Sequence, residues 1–292
     1  MDAKTLLFVG LGVAFLVYAA TVVRGGLAMP SGVQTAIGFV TAFFDTLGIG
    51  SFATTTAVYK LRDMVPVQLI PGTMNVGHAL STIAQAFIYT SIVPVEPTTL
   101  VLMIAAATAG AWLGAGVVVH WPRRKIQLGM GIALLGAAAI MLLSQLNLVP
   151  GGGDTLGLSG VRLVIGLAGN FGLGILMMLG IGLYAPCMIL VSLLGMNPTA
   201  AFPIMMGSCA FLMPVSSMRF VRTRSYDAKA ALGLALGGFP AVLIAAYLVR
   251  SLPLGAVRWL VVAVVIYTSL NMLTTAQPAA AETNPNVAEL NA

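Results

Sequence analysis

Two ionisable side chains, those of Asp45 and His78, stand within long apolar stretches of this sequence. If the glycine-rich segment 47–50 ends a helix, the dipole of that helix and the apolar surroundings both disfavour an ionised carboxylate at Asp45. A neutral Asp that can release its proton, and an imidazole that titrates near neutral pH, are groups that suit a proton-coupled carrier. We therefore predict proton coupling through Asp45 and His78. The alternative for both is structural hydrogen bonding, which for Asp45 means a bond to a backbone N–H group across the break.

Small polar and thiol side chains stand beside two Gly- and Pro-rich segments of the chain. Hydroxyl and amide groups, together with backbone N–H groups at a helix N-terminus, can bind a small anion without a lysine or arginine. Ser51 is expected to cap the helix that follows the break. The candidate substrate-binding residues are Ser51, Thr54, Thr55, Thr73, Asn75, His78, Cys187, Ser208 and Cys209. The alternatives are capping and back-bonding by threonine and, for Ser208 and Cys209, small side chains that let helices approach closely.

The segment that carries these residues occurs twice. A shift of 132 residues aligns 43–80 with 175–212 and gives eleven identities in 38 ungapped positions, including the Gly and Pro residues that fix backbone shape. Asp45 and His78 have Met177 and Ala210 at the matching positions, so both ionisable groups belong to the first copy alone. A period this long is typical of the halves of a secondary transporter rather than of a solenoid.

The composition places the chain in a bilayer. It is 59% hydrophobic and 8% charged, which leaves too little polar side chain to cover a soluble domain. The net charge of +6 does not indicate nucleic-acid binding, because the 14 basic residues lie in short clusters between apolar segments, as the positive-inside rule requires. Cys187 and Cys209 stand in apolar surroundings without metal-ligand spacing, so neither a metal site nor a disulfide is predicted.

Apolar runs of membrane-spanning length divide the chain. The first run, 5–23, is predicted to be a spanning helix, with a cleaved signal peptide as the alternative. The segment 32–61 is too long for one span and is interrupted at 48–50, so it is predicted to form two half-helices. The second half repeats this order with a broken pair at 161–194. The remaining predicted spans are 72–93, 98–120, 126–148, 203–220, 228–249 and 257–274.

The basic residues favour re-entrant hairpins over full crossings at the two breaks. With re-entrant pairs, ten basic residues fall on the cytoplasmic side and four outside, whereas full crossings give eight against six. The predicted fold is an all-α integral membrane protein with seven transmembrane helices and two re-entrant Gly-broken hairpins that meet near the midplane in an inverted repeat. The predicted units are an additional helix in 1–31, repeat one in 32–150, repeat two in 151–276 and a disordered tail in 277–292.

The spacing of glycine and proline residues in the repeat resembles that of the TauE/SafE-type sulfite exporter family. In both copies a Gly-rich break is followed sixteen residues later by Pro66 or Pro198, and then by a Pro-led helix with small polar residues. The resemblance extends over about 32–273. It departs from the family at the breaks, which read Leu-Gly-Ile-Gly where a denser glycine run is expected. The resemblance implies transport of sulfite, another small sulfur oxyanion or an organosulfonate across a bacterial inner membrane.

The function predicted from these features is secondary transport of a small sulfur-containing anion, bound at the midplane by half-helix N-termini and small polar side chains. The predicted partners are the anion and the lipid bilayer, with a homo-oligomer compatible with the sequence and no nucleic acid or cofactor. An intramembrane enzyme using Asp45 and His78 is a weaker alternative, because the chain has no HExxH, GxSxG or paired-aspartate motif. Transport of an unrelated small solute is also compatible with the sequence, whereas a structural subunit of a larger complex would not need two broken pairs at matched positions.

Overall fold

Glycine and proline divide this apolar chain into helices. The computed structural model describes residues 3–47, 49–148, 152–180, 182–248, 255–274 and 276. Within these ranges the regular structure is helical, apart from one isolated bridge between Thr155 and Met196. The helices are α1 (Ala3–Gly25), α2 (Gly32–Thr46), α3 (Ser51–Leu61), α4 (Ile70–Ile92), α5 (Pro97–Val118), α6 (Arg123–Gln145), α7 (Gly160–Met177), α8 (Tyr184–Leu193), α9 (Ala201–Arg222), α10 (Ala228–Leu248) and α11 (Gly255–Thr274).

Six of the helices in the described ranges are long and apolar enough to cross a membrane, so the chain is a multi-pass membrane protein. The six segments are Thr5–Gly25, Pro97–Val118, Arg123–Gln145, Gly160–Met177, Pro198–Arg222 and Ala228–Tyr247. The seven membrane spans predicted from the sequence are not the same helices as these six. The predicted spans included α4 and α11, whereas α7 was expected to be a hairpin arm. The 23 residues of α4 are long enough to span a bilayer, but a row of polar side chains lowers the mean hydropathy of this helix.

Both predicted breaks are present. The first separates α2, of 15 residues, from α3, of 11 residues, and the second separates α7, of 18 residues, from α8, of 10 residues. Gly50 at the first break and Gly180 at the second have φ angles of +87° and +90°, which side-chain-bearing residues rarely adopt. The glycines therefore stop each helix and let the chain change direction. The predicted boundary at 150/151 and the tail 277–292 lie outside the described residues.

The helices pack in matched pairs. α2 packs on α10 as α7 packs on α5, α4 packs on α10 as α9 packs on α5, and α4 contacts α9 while α6 contacts α11. If each helix from α2 to α6 is replaced by its counterpart from α7 to α11, and the reverse, the same set of packing pairs results. Helix α1 packs against α9 and α4, and its Tyr18 hydroxyl donates a hydrogen bond of 2.9 Å to the Val76 carbonyl.

Glycines allow the closest of these contacts. A Cβ atom on Gly110 would lie 2.0 Å from the Phe171 carbonyl oxygen, and one on Gly237 would lie 1.9 Å from the Thr35 carbonyl oxygen. The Gly-x-x-x-Gly pairs at 110/114 and 233/237 thus mediate the α5–α7 and α10–α2 contacts, as small residues do between membrane helices. Helices α5 and α7 run parallel, because Thr99 lies beside Leu158 and Gly114 lies beside Ile175.

The two ends of the α7–α8 pair are joined to each other. Ahead of α7, the Thr155 hydroxyl donates to the Gly195 carbonyl at 2.9 Å and the Thr155 carbonyl accepts from the Asn197 N–H group at 2.8 Å; both partners follow α8. The same segment reaches the start of α5, where Glu96 N–H donates to the Leu156 carbonyl at 2.8 Å. The beginning of α7, the end of α8 and the beginning of α5 therefore lie on one face of the protein.

A second set of ends meets at the loop 223–227. The Asp227 N–H group donates to the Thr73 hydroxyl at 2.9 Å, and the Tyr226 hydroxyl contacts the Gly25 carbonyl at 3.4 Å. The loop thus joins the end of α1, the start of α4, the end of α9 and the start of α10. Because α3 is linked to α4 by 62–69 alone, the end of α3 is tied to the same face.

Acidic side chains cap the helices that begin on these two faces. Glu96 accepts bonds of 2.9 and 2.6 Å from the N–H groups of Thr98 and Thr99 at the start of α5, and Asp227 accepts a bond of 2.8 Å from the Ala230 N–H group in α10. Slight burial raises the pKa of Glu96, but the bonds from Thr99 and Thr98 outweigh this effect and lower the pKa to about 2.

Candidate functional site

One face of α4 carries a continuous row of polar side chains. Asn75, His78, Thr82, Gln85 and Tyr89 follow one another at alternating spacings of three and four residues, which keeps them on one side of a helix. The first four are at most 2% exposed. Buried polar groups require hydrogen-bond partners, so the elements that pack against this face of α4 must supply polar groups to the centre of the protein.

Asp45 is the acidic end of the site. It is 3% exposed and lies at the end of α2, where its Oδ1 atom accepts a hydrogen bond from the Ser51 N–H group at the start of α3. The other carboxyl oxygen, Oδ2, lies 3.0 Å from Gln85 Nε2 and 3.0 Å from the Tyr184 hydroxyl. The structural role expected as the alternative for Asp45, a bond across the break, is therefore present. Its second oxygen additionally contacts α4 and α8.

Gln85 and Tyr184 also contact each other. The Tyr184 hydroxyl lies 2.7 Å from Gln85 Oε1 and close to the sulfur of Met206. Tyr184 is the first residue of α8, so its contact with Asp45 joins the tip of the second broken pair to the tip of the first, and its contact with Gln85 joins that tip to α4. We call Asp45, Gln85 and Tyr184 the carboxyl triad.

A second layer supports the carboxyl triad from α2 and α4. Gln85 Nε2 also donates to the Thr46 hydroxyl at 2.9 Å, and that hydroxyl donates to the Ala42 carbonyl at 2.8 Å. The Tyr89 hydroxyl donates to the Thr46 carbonyl at 2.7 Å. The Tyr89 bond satisfies a carbonyl at the end of α2 that the break leaves without a helical partner.

His78 has a separate environment. Its Nε2 atom lies 3.0 Å from the Thr55 hydroxyl, and its ring is 5.9 Å from the Phe52 ring. Its Nδ1 atom is buried without a hydrogen-bond partner. Hydrogen bonds connect Asp45 with Gln85 rather than with His78, which lies seven residues earlier on α4, so the two ionisable residues do not form a directly bonded pair. The free ring nitrogen leaves His78 able to bind a further polar group.

Three predicted binding residues use their polar groups to hold helices. The Thr54 hydroxyl donates to the carbonyls of Gly50 and Ser51, and the Thr73 hydroxyl donates to the Leu69 carbonyl while accepting from Asp227. Asn75 lies at the α4–α9 contact. Its amide donates to the Pro71 carbonyl at 2.9 Å, and its Oδ1 atom accepts from the Ser216 hydroxyl at 3.1 Å. For the two threonines, these contacts correspond to the structural role expected as the alternative.

Capping at Ser51 differs from the prediction. Gly50 is the N-cap of α3 and makes no side-chain cap, while Ser51 is the first helical residue and gives its backbone N–H group to Asp45. The predicted serine cap is wrong because a carboxyl oxygen of Asp45 reaches this position from α2 and accepts the hydrogen bond from the Ser51 N–H group.

The predicted residues of the second half lie in a sulfur-rich region. Cys187 and Cys209 are fully buried, and Cys209 Sγ lies 3.8 Å from Met177 Sδ. Ser208 Oγ accepts from Asn170 Nδ2 at 3.1 Å, and Asn170 also donates to the Met103 carbonyl at 2.7 Å. Ser208 therefore helps to join α9 to α7.

The tips of the two broken pairs touch. A Cβ atom on Gly182 would lie 3.7 Å from Phe52 Cβ, and one on Gly180 would lie 3.4 Å from Met74 Cε. Thr55 and Tyr184, which line this central region, are buried at 0% and 8% exposure. The site is thus closed to both faces of the protein in this conformation.

Among the described side chains, the buried ones that can carry charge at neutral pH are Asp45 and His78. The lysines and arginines whose side chains are described lie at helix ends and loops with at least partial exposure. A negatively charged ligand here would be bound by hydroxyl, imidazole and backbone N–H groups rather than by a fixed cation.

Gln85 and Tyr184 were not among the residues predicted from the sequence. The signal for Gln85 was available, because it continues the three–four spacing that begins at Asn75 and His78. Tyr184 follows directly after the second break but contacts residues 139 and 99 positions earlier, at Asp45 and Gln85. Such a distant contact has no local sequence signal.

No protein-family model, curated protein or solved structure matches this chain. The basis for a function is therefore the chemistry and placement of its own residues.

Proposed function

We propose that this protein is a secondary membrane transporter that binds a small anion where the tips of its two broken helix pairs meet. The observation that carries the proposal is the contact between Tyr184 of α8 and Asp45 of α2, which lies in the buried centre and joins the two halves. Interrupting a membrane helix costs backbone hydrogen bonds, so two interruptions at matched positions are expected where they form a binding site.

The topology in this proposal has two re-entrant hairpins, α2–α3 and α7–α8, that enter from opposite faces. Its support is the position of the helix ends. The start of α7 and the end of α8 are joined through Thr155, whereas α3 leads through 62–69 to the start of α4 beside the 223–227 loop. Seven helices then cross the membrane, and the second half is inverted relative to the first.

The orientation follows from charge. The 223–227 loop and the helix ends around it carry most of the basic residues, and these form the cytoplasmic face in this proposal. They are Arg24, Lys60, Arg62, Arg123, Arg124, Lys125, Arg219, Arg222, Arg224 and Lys229. The bacterial inner membrane as the location rests on the resemblance to the sulfite exporters.

The binding groups proposed for the anion are those near the hairpin tips whose polar atoms can reach a ligand. Thr55 and His78 are the first of these, because His78 Nδ1 has no partner in the protein. Ser51, Cys187 and Cys209 line the same region, while Thr54, Thr73, Asn75 and Ser208 position the helices around it. A sulfur oxyanion or organosulfonate as the substrate rests on the family resemblance.

Transport requires the closed site to open. Because the central residues are buried from both faces, the hairpin tips or the helices around them must separate to admit an anion from each side in turn. Asp45 and His78 are the proposed proton-coupling groups, since both are confined to the first half and a symmetric pair of helix ends can bind an anion without them.

Uptake into proteoliposomes tests this function. Purified protein in liposomes should accumulate radiolabelled sulfite when an imposed pH gradient is present, at a rate well above that of empty liposomes. Arg123→Gln, which changes an exposed residue at the start of α6, is the matched control and should transport normally. Failure of sulfite, thiosulfate and a short organosulfonate alike to enter above the empty-liposome rate would contradict anion transport.

One observation favours a different cargo. Cys209 Sγ and Met177 Sδ lie 3.8 Å apart near the hairpin tips, and thiol and thioether sulfurs select soft monovalent cations such as Cu(I). The same liposomes loaded with a Cu(I) indicator distinguish the two substrates, because a copper carrier would lose uptake in Cys209→Ser whereas an anion carrier would not respond to copper.

A further inference from the structure

When Asp45 is ionised, the three polar contacts within the carboxyl triad outnumber the hydrogen atoms that are available to form hydrogen bonds in them. Its three contacts join Gln85 Nε2 to Asp45 Oδ2 at 3.0 Å, Tyr184 Oη to Asp45 Oδ2 at 3.0 Å, and Tyr184 Oη to Gln85 Oε1 at 2.7 Å. The two hydrogens of Gln85 Nε2 point to Asp45 and Thr46. Tyr184 then has one hydrogen for two oxygen atoms.

An ionised Asp45 would therefore leave one oxygen–oxygen contact without a hydrogen. If Tyr184 donates to Asp45, its lone pairs face Gln85 Oε1 at 2.7 Å; if it donates to Gln85, they face the carboxylate at 3.0 Å. The sulfur of Met206 beside the same hydroxyl adds an acceptor and supplies no hydrogen. Buried acceptors in contact without a shared hydrogen repel each other, and the burial of Asp45 and Gln85, at 3% and 0% exposure, leaves bulk solvent little access to relieve them.

Reversing the side-chain amide of Gln85 does not remove the deficit. In that orientation the amide nitrogen donates to Tyr184 and Tyr184 donates to Asp45, but Gln85 Oε1 then faces Asp45 Oδ2 at 3.0 Å without a hydrogen. Both orientations lack one hydrogen. A proton on Asp45 Oδ2 supplies it in each case, since it is donated to Tyr184 in the first orientation and to Gln85 in the second.

We propose that one proton on Asp45 completes a hydrogen-bonded ring with Gln85 and Tyr184, and that this proton holds the two hairpin tips together in the closed conformation. The ring spans α2, α4 and α8, so it joins both broken pairs to the helix between them. Loss of the proton leaves an oxygen–oxygen repulsion between α8 and its two partners. Proton release therefore favours separation of the Tyr184 end of α8, which opens the site.

The surroundings of Asp45 contain no described cation that would stabilise the ionised form instead. The titratable groups near it are Tyr89 and, two turns before Gln85, His78 on α4, together with Tyr184 on α8 and Cys209 on α9; Cys187 lies near Cys209. Tyrosine and cysteine are neutral at neutral pH in their ordinary state. The part of α10 that packs on α2 contributes glycines, and α3 contributes the Ser51 N–H group.

Infrared spectroscopy can detect the proton directly. Purified protein in liposomes at pH 7 should show the carbonyl band of one protonated carboxylic acid, which shifts on exchange into D2O and is lost in Asp45→Asn. In Tyr184→Phe the band should persist at a shifted frequency, because the acid loses one hydrogen-bond partner. Absence of a band attributable to Asp45 in the wild-type protein would overturn the proposal.

Cross-linking tests whether the proton holds the tips together. Phe52→Cys and Gly182→Cys place two Cβ atoms about 3.7 Å apart, within the range for a disulfide, in a background where Cys187 and Cys209 are replaced by serine. With Asp45 present, the cross-linked fraction should fall several-fold as pH rises, relative to the same pair in Asp45→Asn at each pH. The amide of the Asp45→Asn variant supplies a hydrogen to the ring at every pH, so this variant corrects for thiol reactivity.

The role of the ring in transport rests on the proposed function, but these two measurements do not. An equal pH response of the cross-link with and without Asp45 would refute the lock even if sulfite is transported. A protein that passes both tests and moves no anion would retain the proton site and lose only the transport proposal.

Discussion

The ends of α2 and α7 occupy matching positions in the two halves, yet Asp45 stands at one and Met177 at the other. Asp45 bonds the next half-helix, α3, and the second broken pair, whereas Met177 contacts the thiol of Cys209 at 3.8 Å. The helix pairs around them remain matched. The repeat thus reproduces the scaffold, because packing needs apolar and small residues in both halves, while the proton chemistry that we propose needs a carboxyl group in only one.

The largest expected effect is the difference in pH response between substitutions at these two helix ends. Asp45→Asn preserves the shape of the side chain and supplies a hydrogen to the ring but cannot release a proton, so we expect pH-driven uptake to be abolished while anion binding changes by no more than a few-fold. Met177→Leu, at the matching position, should leave the pH response intact. Uptake in liposomes under an imposed pH gradient measures both, and a full pH response in Asp45→Asn would make Asp45 purely structural.

Two neighbouring threonines give the next largest contrast. Thr55 contacts His78, while Thr54 donates to carbonyls of its own helix. Thr55→Val should weaken sulfite binding by about ten- to a hundredfold, the value of a lost hydrogen bond to a charged group of about 1.5 to 3 kcal/mol. Thr54→Val is the matched control and should change affinity by less. Equilibrium binding to detergent-solubilised protein distinguishes them, and equal losses would place the anion elsewhere on α3.

Helix contacts should behave alike in the two halves. Gly110→Ala and Gly237→Ala each force a methyl group against a backbone carbonyl, so each should destabilise the protein by about 1 to 3 kcal/mol. Gly136→Ala in α6 meets no atom within 4 Å and should be neutral or slightly stabilising. Thermal unfolding in detergent gives the three values. A loss confined to one half would mean that the matched packing is unequal in energy.

The smallest predicted effect concerns the capping acids on the two faces. Glu96→Gln and Asp227→Asn should each cost about 1 kcal/mol or less at pH 7, since each retains an acceptor for the helix N-terminus. For Glu96 the folded-state pKa of about 2 lies below its ordinary value of 4.5, so its contribution is present above pH 4.5 and is lost as pH falls toward 2. The difference in melting temperature between wild type and Glu96→Gln should shrink over that range. A difference that grows on acidification would contradict the capping role.

Periodicity and punctuation in the sequence were enough to predict the helices and both breaks. Apolar runs have no stable arrangement in a bilayer other than the helix or the closed barrel, and glycines at φ near +90° stop a helix wherever they occur. The sequence also predicted an acid at the first break. The re-entrant and inverted arrangement remains a prediction from charge, repeat and helix-end positions.

The partners of the site residues were decided by tertiary structure. Sequence patterns report which residues share a helix face, and the three–four spacing from Asn75 to Tyr89 contains Gln85 for that reason. Sequence patterns do not report which face of a distant helix this polar face of α4 contacts. The packing of α2, α4 and α8 decides that Asp45 contacts Gln85 rather than His78, and that Tyr184 reaches both Asp45 and Gln85. This packing depends on the summed contacts of all the helices rather than on any local signal.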